Sequence, residues 1–143
     1  MEVPALERGQ GFYSNLFVVP KPNGDVRPIL DLKALNRFLR IRSFRMESIR
    51  SVVAALQGKE LLASIDIKDA YLHVPIFPGH FKFLRFALGH RHFQFVALPF
   101  GLATAPRVFT KILAPVLANL RSQGILVMAY LDDLIVIDLS EAV

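Results

Sequence analysis

Cysteine is absent from the 143-residue chain, which excludes a disulfide framework, a thiolate metal site and a cysteine nucleophile together. The absence fits an intracellular protein, in cytoplasm or nucleus. No apolar run approaches the roughly 20 residues that a bilayer-spanning helix needs. The opening MEVPALERGQ lacks the basic-then-apolar layout of a signal peptide, so no membrane partner is expected. His73, His80, His90 and His92 show no ligand-like spacing and read as turn or surface residues. There is no internal repeat and no low-complexity segment. Acidic residues are missing from the whole stretch between Asp31 and Glu47.

What is present is an apolar, moderately basic chain. Hydrophobic residues make up 53% and charged residues 20%, so the chain is globular and long enough for one domain with a real core. The apolar fraction is high for a small free-standing domain and points to surface that further chain or a partner covers. The net charge of +5 favours a polyanionic partner only weakly. Its distribution says more. In the acid-free stretch, Lys33, Arg37, Arg40, Arg42 and Arg45 alternate with Phe38 and Phe44, a pattern that suits phosphate contact and base stacking as well as a plain solvated face.

Two adjacent carboxylates, Asp132 and Asp133, lie between the β-prone runs 125–131 and 134–137. Both runs are too short for a typical helix and read as strands joined by a tight turn. One reading is a solvated hairpin tip, since Asp-Asp is acceptable turn chemistry. The other is a turn that presents paired negative charge. Carboxylates this close repel, and a hard divalent cation such as Mg²⁺ resolves the conflict. Such a site needs a third carboxylate. Asp66 qualifies, because it ends the β-prone run 61–67 and an Asp inside such a run is disfavoured unless it is ligated; a solvent-facing Asp is the plainer alternative.

The remaining chain supplies a scaffold. Residues 1–13 read as a lead-in. Residues 16–19 and 26–32 are short β-prone runs around KPNGD, a hairpin with Lys21 on one limb and Arg27 on the other. It is either an ordinary exposed turn or a cationic clasp for a polyphosphate. Residues 46–56 place Ile49, Val52, Val53 and Leu56 at helical spacing on a core, with Gly58 at the C-terminal end. Residues 81–88 and 91–98 read as two strands. A long helix is expected over 105–123, opened by Thr104 and Pro106, closed by Gly124 and bent at Pro115, with Val108, Phe109, Ile112, Leu113, Val116, Leu117 and Leu120 facing the core. This order predicts an α+β fold, an antiparallel sheet with helices on one face. If the 61–67 strand lies beside the hairpin, three carboxylates meet at one sheet end, where they could hold two metal ions about 3.5–4 Å apart. The chemistry that suits them is phosphoryl or nucleotidyl transfer.

Four stretches resemble one family, in its order and at its separations, across nearly all of residues 14–138. YLDDLIV resembles the Tyr-x-Asp-Asp hairpin of reverse transcriptases, and SIDIKDAYLHVPI their first catalytic motif. VPKPNGDVRPILDLKALN resembles their fingers motif, and ALPFGLATAPRVF the segment between the two catalytic motifs. The LPFGL form is similar to retrotransposons rather than retroviruses. The wording of SFRMESI and TAPRVFTKILAP is closest to DIRS-type elements of animal genomes, with gypsy-type LTR elements next.

The resemblance implies a polymerase palm over 61–143 and part of the fingers over 14–60. It also implies an RNA-directed DNA polymerase that transfers deoxynucleotides to a primer 3′-hydroxyl on an RNA or DNA template. Asp66, Asp132 and Asp133 match the carboxylates that bind two Mg²⁺ ions, with Mn²⁺ as a substitute, and Ile67 matches a position whose carbonyl completes the metal shell. Lys21 and Arg27 match residues that hold the incoming dNTP. Asp69 and Ala70 match positions whose backbone N–H groups face its phosphates, Tyr71 the aromatic gate against a ribose 2′-hydroxyl, and Gly101 a backbone contact at the nucleotide pocket. Asp31 and Lys33 match positions near the template, and Tyr130 and Leu131 positions at the primer end and nascent pair. Phe100 departs from the pattern, standing where retroviral enzymes have a nucleotide-contacting Gln. The thumb and RNase H regions of the family would follow residue 143 in a longer polyprotein. Two rivals remain: a truncated remnant that binds nucleic acid without catalysis, and an RNA-dependent RNA polymerase, against which Tyr71 speaks.

Overall fold

A computed structural model describes residues 1–46, 48–56, 58, 61–130 and 132–138. In chain order the elements are β1 (Leu16–Pro20), β2 (Val26–Leu30), α1 (Lys33–Asn36), α2 (Ile49–Ala55), β3 (Leu61–Asp66), β4 (Arg85–Leu88), β5 (Arg91–Gln94), α3 (Ala105–Ser122), β6 (Leu126–Tyr130) and β7 (Asp133–Asp138). Short 3₁₀ turns cover Ala5–Glu7, Ala70–His73 and Pro78–Phe83. All named strand pairs are antiparallel, so the α+β expectation holds. The strands form not one sheet but two hairpins, β1–β2 and β4–β5, and a three-stranded sheet ordered β3-β7-β6.

The chain packs into two units that interleave in sequence. One comprises Met1–Arg42 with Tyr71–Ala105, the other Ser43–Ala70 with Pro106–Val143. In the first, Leu30, Leu32, Leu35 and Leu84 form a buried cluster that Phe12, Phe86 and Phe95 flank. Residues 1–12 gave no structural signal in the sequence, yet they are built into this unit. Val3 N–H donates to the His92 carbonyl at 2.9 Å, and Gln94 N–H to the Met1 carbonyl at 2.8 Å. Arg85 is the reason. Only 2% exposed, it donates to the carbonyls of Glu7 and Gln10 at 3.0 and 2.8 Å and to Gln94 Oε1 at 3.0 Å, and pairs with the Glu7 carboxylate. A buried charge costs several kcal/mol unless its hydrogen bonds are met, and the lead-in meets them. His92, read as a surface residue, lies in β5 and its Nδ1 bonds the Tyr13 hydroxyl at 2.7 Å.

Several local expectations need correction. Residues 78–83 are 3₁₀ and not strand: Pro78 and Gly79 start the turn, and the strand begins only at Arg85. The 91–98 strand stops at Gln94. Helix α2 is shorter than expected, opened by a reciprocal Ser48–Ser51 capping box and ended by extended Leu56, so Gly58 lies beyond its cap. Val53 is 59% exposed and so not in a core. On α3, Phe109 and Leu117 are buried, but Ile112 and Val116 are half-exposed. The helix runs through Pro115 and ends as the sequence indicated. Gly124 is left-handed, its N–H bonds the Arg121 carbonyl and that of Ile125 the Leu120 carbonyl, a Schellman closure.

Gly101 is a second glycine with a defined reason. Its φ is +108°, and a Cβ there would lie 2.1 Å from the Leu30 carbonyl oxygen. Leu30 N–H in turn donates to the Phe100 carbonyl at 3.0 Å. By contrast Gly24, at the β1–β2 tip with φ +86°, has open space around it. Gly24→Ala is expected to cost about 1–2 kcal/mol for the left-handed backbone alone, and Gly101→Ala clearly more, because backbone must also move. Urea unfolding of both variants checks the ordering; equal losses would remove the close-approach argument.

Candidate nucleotidyl-transfer site

In the unit of β3, β6 and β7, the register fixes three carboxylates. Strand β7 pairs with β3 so that Asp66 faces Asp133, and with β6 so that Tyr130 faces Asp133. Asp132 occupies the turn between β6 and β7. Its carbonyl accepts from the Ile67 N–H at 3.1 Å, which ties the turn to the chain just beyond β3. One oxygen from each of Asp66, Asp132 and Asp133 lies within 4.8 Å of the others. Burial raises the Asp133 carboxyl above the ordinary Asp range; the charges of Asp132 and Asp66 and a hydrogen bond with Asp66 push it the same way. Three hard oxygen donors converging from rigid backbone suit a divalent cation such as Mg²⁺.

Beyond β3 the chain turns at Lys68–Asp69, where Asp69 takes a left-handed φ of 50°, a conformation Asp tolerates better than most residues. Ala70 follows, fully buried. Tyr130 is half-buried at the end of β6, whereas Leu131 lies outside the described residues.

The other unit holds the remaining residues singled out in the sequence. Lys21 closes the β1–β2 tip, its N–H donating to the Asp25 carbonyl at 2.7 Å, and Arg27 faces Val19 across the hairpin. The Arg27 guanidinium lies over the Phe100 ring, 4.6 Å from its centroid. Tyr71 packs on the same ring with centroids 4.9 Å apart. Gly101 is next in the chain. Asp31 and Lys33 are exposed at the start of α1, where the Asp31 carboxylate accepts from the Lys33 N–H at 3.3 Å. The structure thus gathers Asp66, Asp132 and Asp133 in one unit, and Arg27, Tyr71 and Gly101 around Phe100 in the other.

Asn36 was not singled out by its sequence context. Its Nδ2 donates to the Gly101 carbonyl at 3.0 Å and its Oδ1 accepts from the Ala103 N–H at 2.9 Å. This two-sided grip fixes the turn that carries Phe100 and Gly101. An Asn one turn into a short helix carries no such signal until its partner turn is known.

The fold, with antiparallel sheets and helices, is of the kind seen in the palm and fingers regions of reverse transcriptases. The chain belongs to the family described as reverse transcriptase (RNA-dependent DNA polymerase), whose model matches residues 19–142. It is 27% identical over 124 residues to the transposon Tf2-3 polyprotein of Schizosaccharomyces pombe, covering 87% of this chain, and 26% identical to the Tf2-7 polyprotein. The chain spans only 9% of the length of these relatives. Among solved structures it is similar to the foamy viral protease–reverse transcriptase in complex with double-stranded DNA (TM-score 0.78, 21% identity, 99% of this chain and 23% of that one). It also resembles the native prototype foamy virus protease–reverse transcriptase (TM-score 0.69, 23% identity, 88% and 17%). At these identities the structural matches establish the fold. Among the described residues no helix is long and apolar enough to cross a membrane.

The crowding at Asp133 has a measurable consequence. A carboxyl whose folded pKa is raised stabilises the fold below its unfolded pKa, and loses that stabilisation as pH rises through the folded value. Without metal, Asp133→Asn should therefore melt above the unsubstituted chain at pH 7, with the gain shrinking as pH falls through the raised folded value and gone below the ordinary Asp range. Mg²⁺ should raise the midpoint of the unsubstituted chain and have less effect on the variant. Thermal melts at pH 3.5 and 7, with and without Mg²⁺, check both; a variant less stable at pH 7 would contradict the assignment of cause.

Proposed function

We propose that this chain is the fingers-and-palm part of a retrotransposon reverse transcriptase, with fingers over 14–60 and palm over 61–143. It adds deoxynucleotides from dNTP to a primer 3′-hydroxyl on an RNA or DNA template. The observation that carries this reading is the convergence of Asp66, Asp132 and Asp133 within a family whose members are polymerases. The LPFGL form places the element among retrotransposons, of DIRS type in our reading with gypsy type next. Thumb and RNase H segments belong to the longer polyprotein.

The three carboxylates, with the carbonyl of Ile67, fit Mg²⁺, for which Mn²⁺ can substitute. When bound, the metal neutralises phosphate charge and makes the primer hydroxyl a better nucleophile. The residues do the rest. Asp66 and Asp133 are held face to face by the sheet, and Ile67 pins the turn that presents Asp132, so the site needs little reorganisation at the moment of reaction. Tyr130 and Leu131 support the primer end. Lys21 supplies a point charge and Arg27 a planar fork of donors for the triphosphate. The N–H groups of Asp69 and Ala70 face its outer phosphates. The Tyr71 ring excludes a ribose 2′-hydroxyl, Gly101 provides a backbone contact at the nucleotide pocket, and Asp31 and Lys33 lie on the template side. Phe100 offers no hydrogen bond to the nucleotide.

Primer extension by the longer polypeptide that carries this segment tests the reading. Asp132→Asn and Asp133→Asn should each lower extension more than about a thousandfold, the scale of losing several kcal/mol of charge neutralisation, with the circular dichroism spectrum retained. Retained extension in either would refute the metal assignment. Tyr71→Val should raise ribonucleotide incorporation while deoxynucleotide extension persists, and unchanged sugar selectivity would remove Tyr71 as the gate.

A further inference from the structure

Phe100 is held by backbone on one side and is used as a support on the other. Its carbonyl accepts from Leu30 N–H at 3.0 Å, and the bridge pairs Phe100 with Ile29 on β2. Alternation along a strand puts Arg27 on the same face as Ile29, and so on the face toward which Phe100 projects. The guanidinium carbon of Arg27 sits 4.6 Å from the Phe100 centroid. The Tyr71 ring leans on the same side chain at 4.9 Å with a 33° tilt. One ring therefore contacts both the cation assigned to the triphosphate and the aromatic assigned to the sugar. The bond from Asn36 to the Gly101 carbonyl and the missing Cβ at Gly101 keep the Phe100 backbone in place.

We propose that Phe100 is a positioning residue that couples triphosphate binding to sugar discrimination by supporting Arg27 and Tyr71 on a single ring. The proposal rests on the polymerase reading above and deepens it. A cation over an aromatic face is held by the ring while its N–H donors stay available to other acceptors. The ring thus limits where the Arg27 guanidinium sits when it meets phosphate oxygens. The same ring sets how far Tyr71 stands forward. A shift in one is felt by the other, so the two properties change together.

Single-nucleotide insertion of dTTP and UTP by the longer polymerase carrying this segment provides the test. Phe100→Leu keeps an apolar side chain of similar bulk but loses the π face. It should raise KM for dTTP about threefold to tenfold, the range expected for one lost cation–π support, with a smaller change in kcat, and should lower the preference for dTTP over UTP in the same variant. Phe100→Tyr, which keeps a ring, should recover most of both. Combined with Tyr71→Val, Phe100→Leu should add little further loss of sugar selectivity, because the gate it supports is already gone. The proposal falls if Phe100→Leu moves KM without selectivity or the reverse, if Phe100→Tyr is as impaired as Phe100→Leu, or if the double variant is additive. Were Tyr71→Val alone to leave selectivity unchanged, the underlying nucleotide-pocket reading would fail. A changed Tyr71→Val with an unaffected Phe100→Leu would sink the ring-support proposal only.

Discussion

Strand β7 is hydrogen-bonded on both sides, and its register is the constraint on which the carboxylate site depends. Because side chains alternate along a strand, a slip of one residue against β3 would move Asp133 to the other face and replace the Asp66–Asp133 pair with a mismatched one. The sheet tolerates no such slip cheaply, since it would also turn buried Ile137 to the opposite face. Apolar burial thus secures an arrangement that charge alone opposes. Three carboxylates would drift apart in a flexible loop; here the ladder of main-chain bonds holds them together, and burial, with repulsion added to it, appears as a raised proton affinity at Asp133.

The site was more legible in the sequence than the scaffold around it. Asp132 and Asp133 interrupt two β-prone runs, and Asp66 ends a third, so their positions follow from period and turn chemistry. The end of α3 was equally clear, because a glycine after the last apolar repeat has one common use. Sequence failed where tertiary context decides. The apolar, aromatic run 81–88 reads as strand, yet Pro78 and Gly79 start a 3₁₀ turn that consumes its first half. Ile112 and Val116 share the helical stripe with Phe109 and Leu117, but periodicity reports only that residues share a face and not how much of that face is covered. Arg85 reads as an ordinary strand cation. Its role in ordering the first dozen residues depends on carbonyls some 75 positions away, which no local pattern discloses.

The apolar composition finds a partial explanation in the surface. Leu61, Leu62 and Ile65 on β3 are each about half exposed or more, as is Val116 on α3. Strand β3 is an edge of its sheet. Long apolar edges invite pairing unless something covers them, and the chain spans only 9% of the polyproteins to which it is similar.

The interleaving of the two units bears on how the molecule is made. The amino group of Met1 bonds the Gln94 carbonyl, 93 residues away, and residues 43–70, which belong to the other unit, must emerge between these partners. During synthesis the first unit cannot close until about residue 105 has left the ribosome, and the second cannot pair β3 with β7 until residue 138 has done so. Neither half can serve as a finished template for the other. Apolar segments of both units therefore stay unpaired until partners distant in sequence have been made, a delay that chain topology sets rather than final stability.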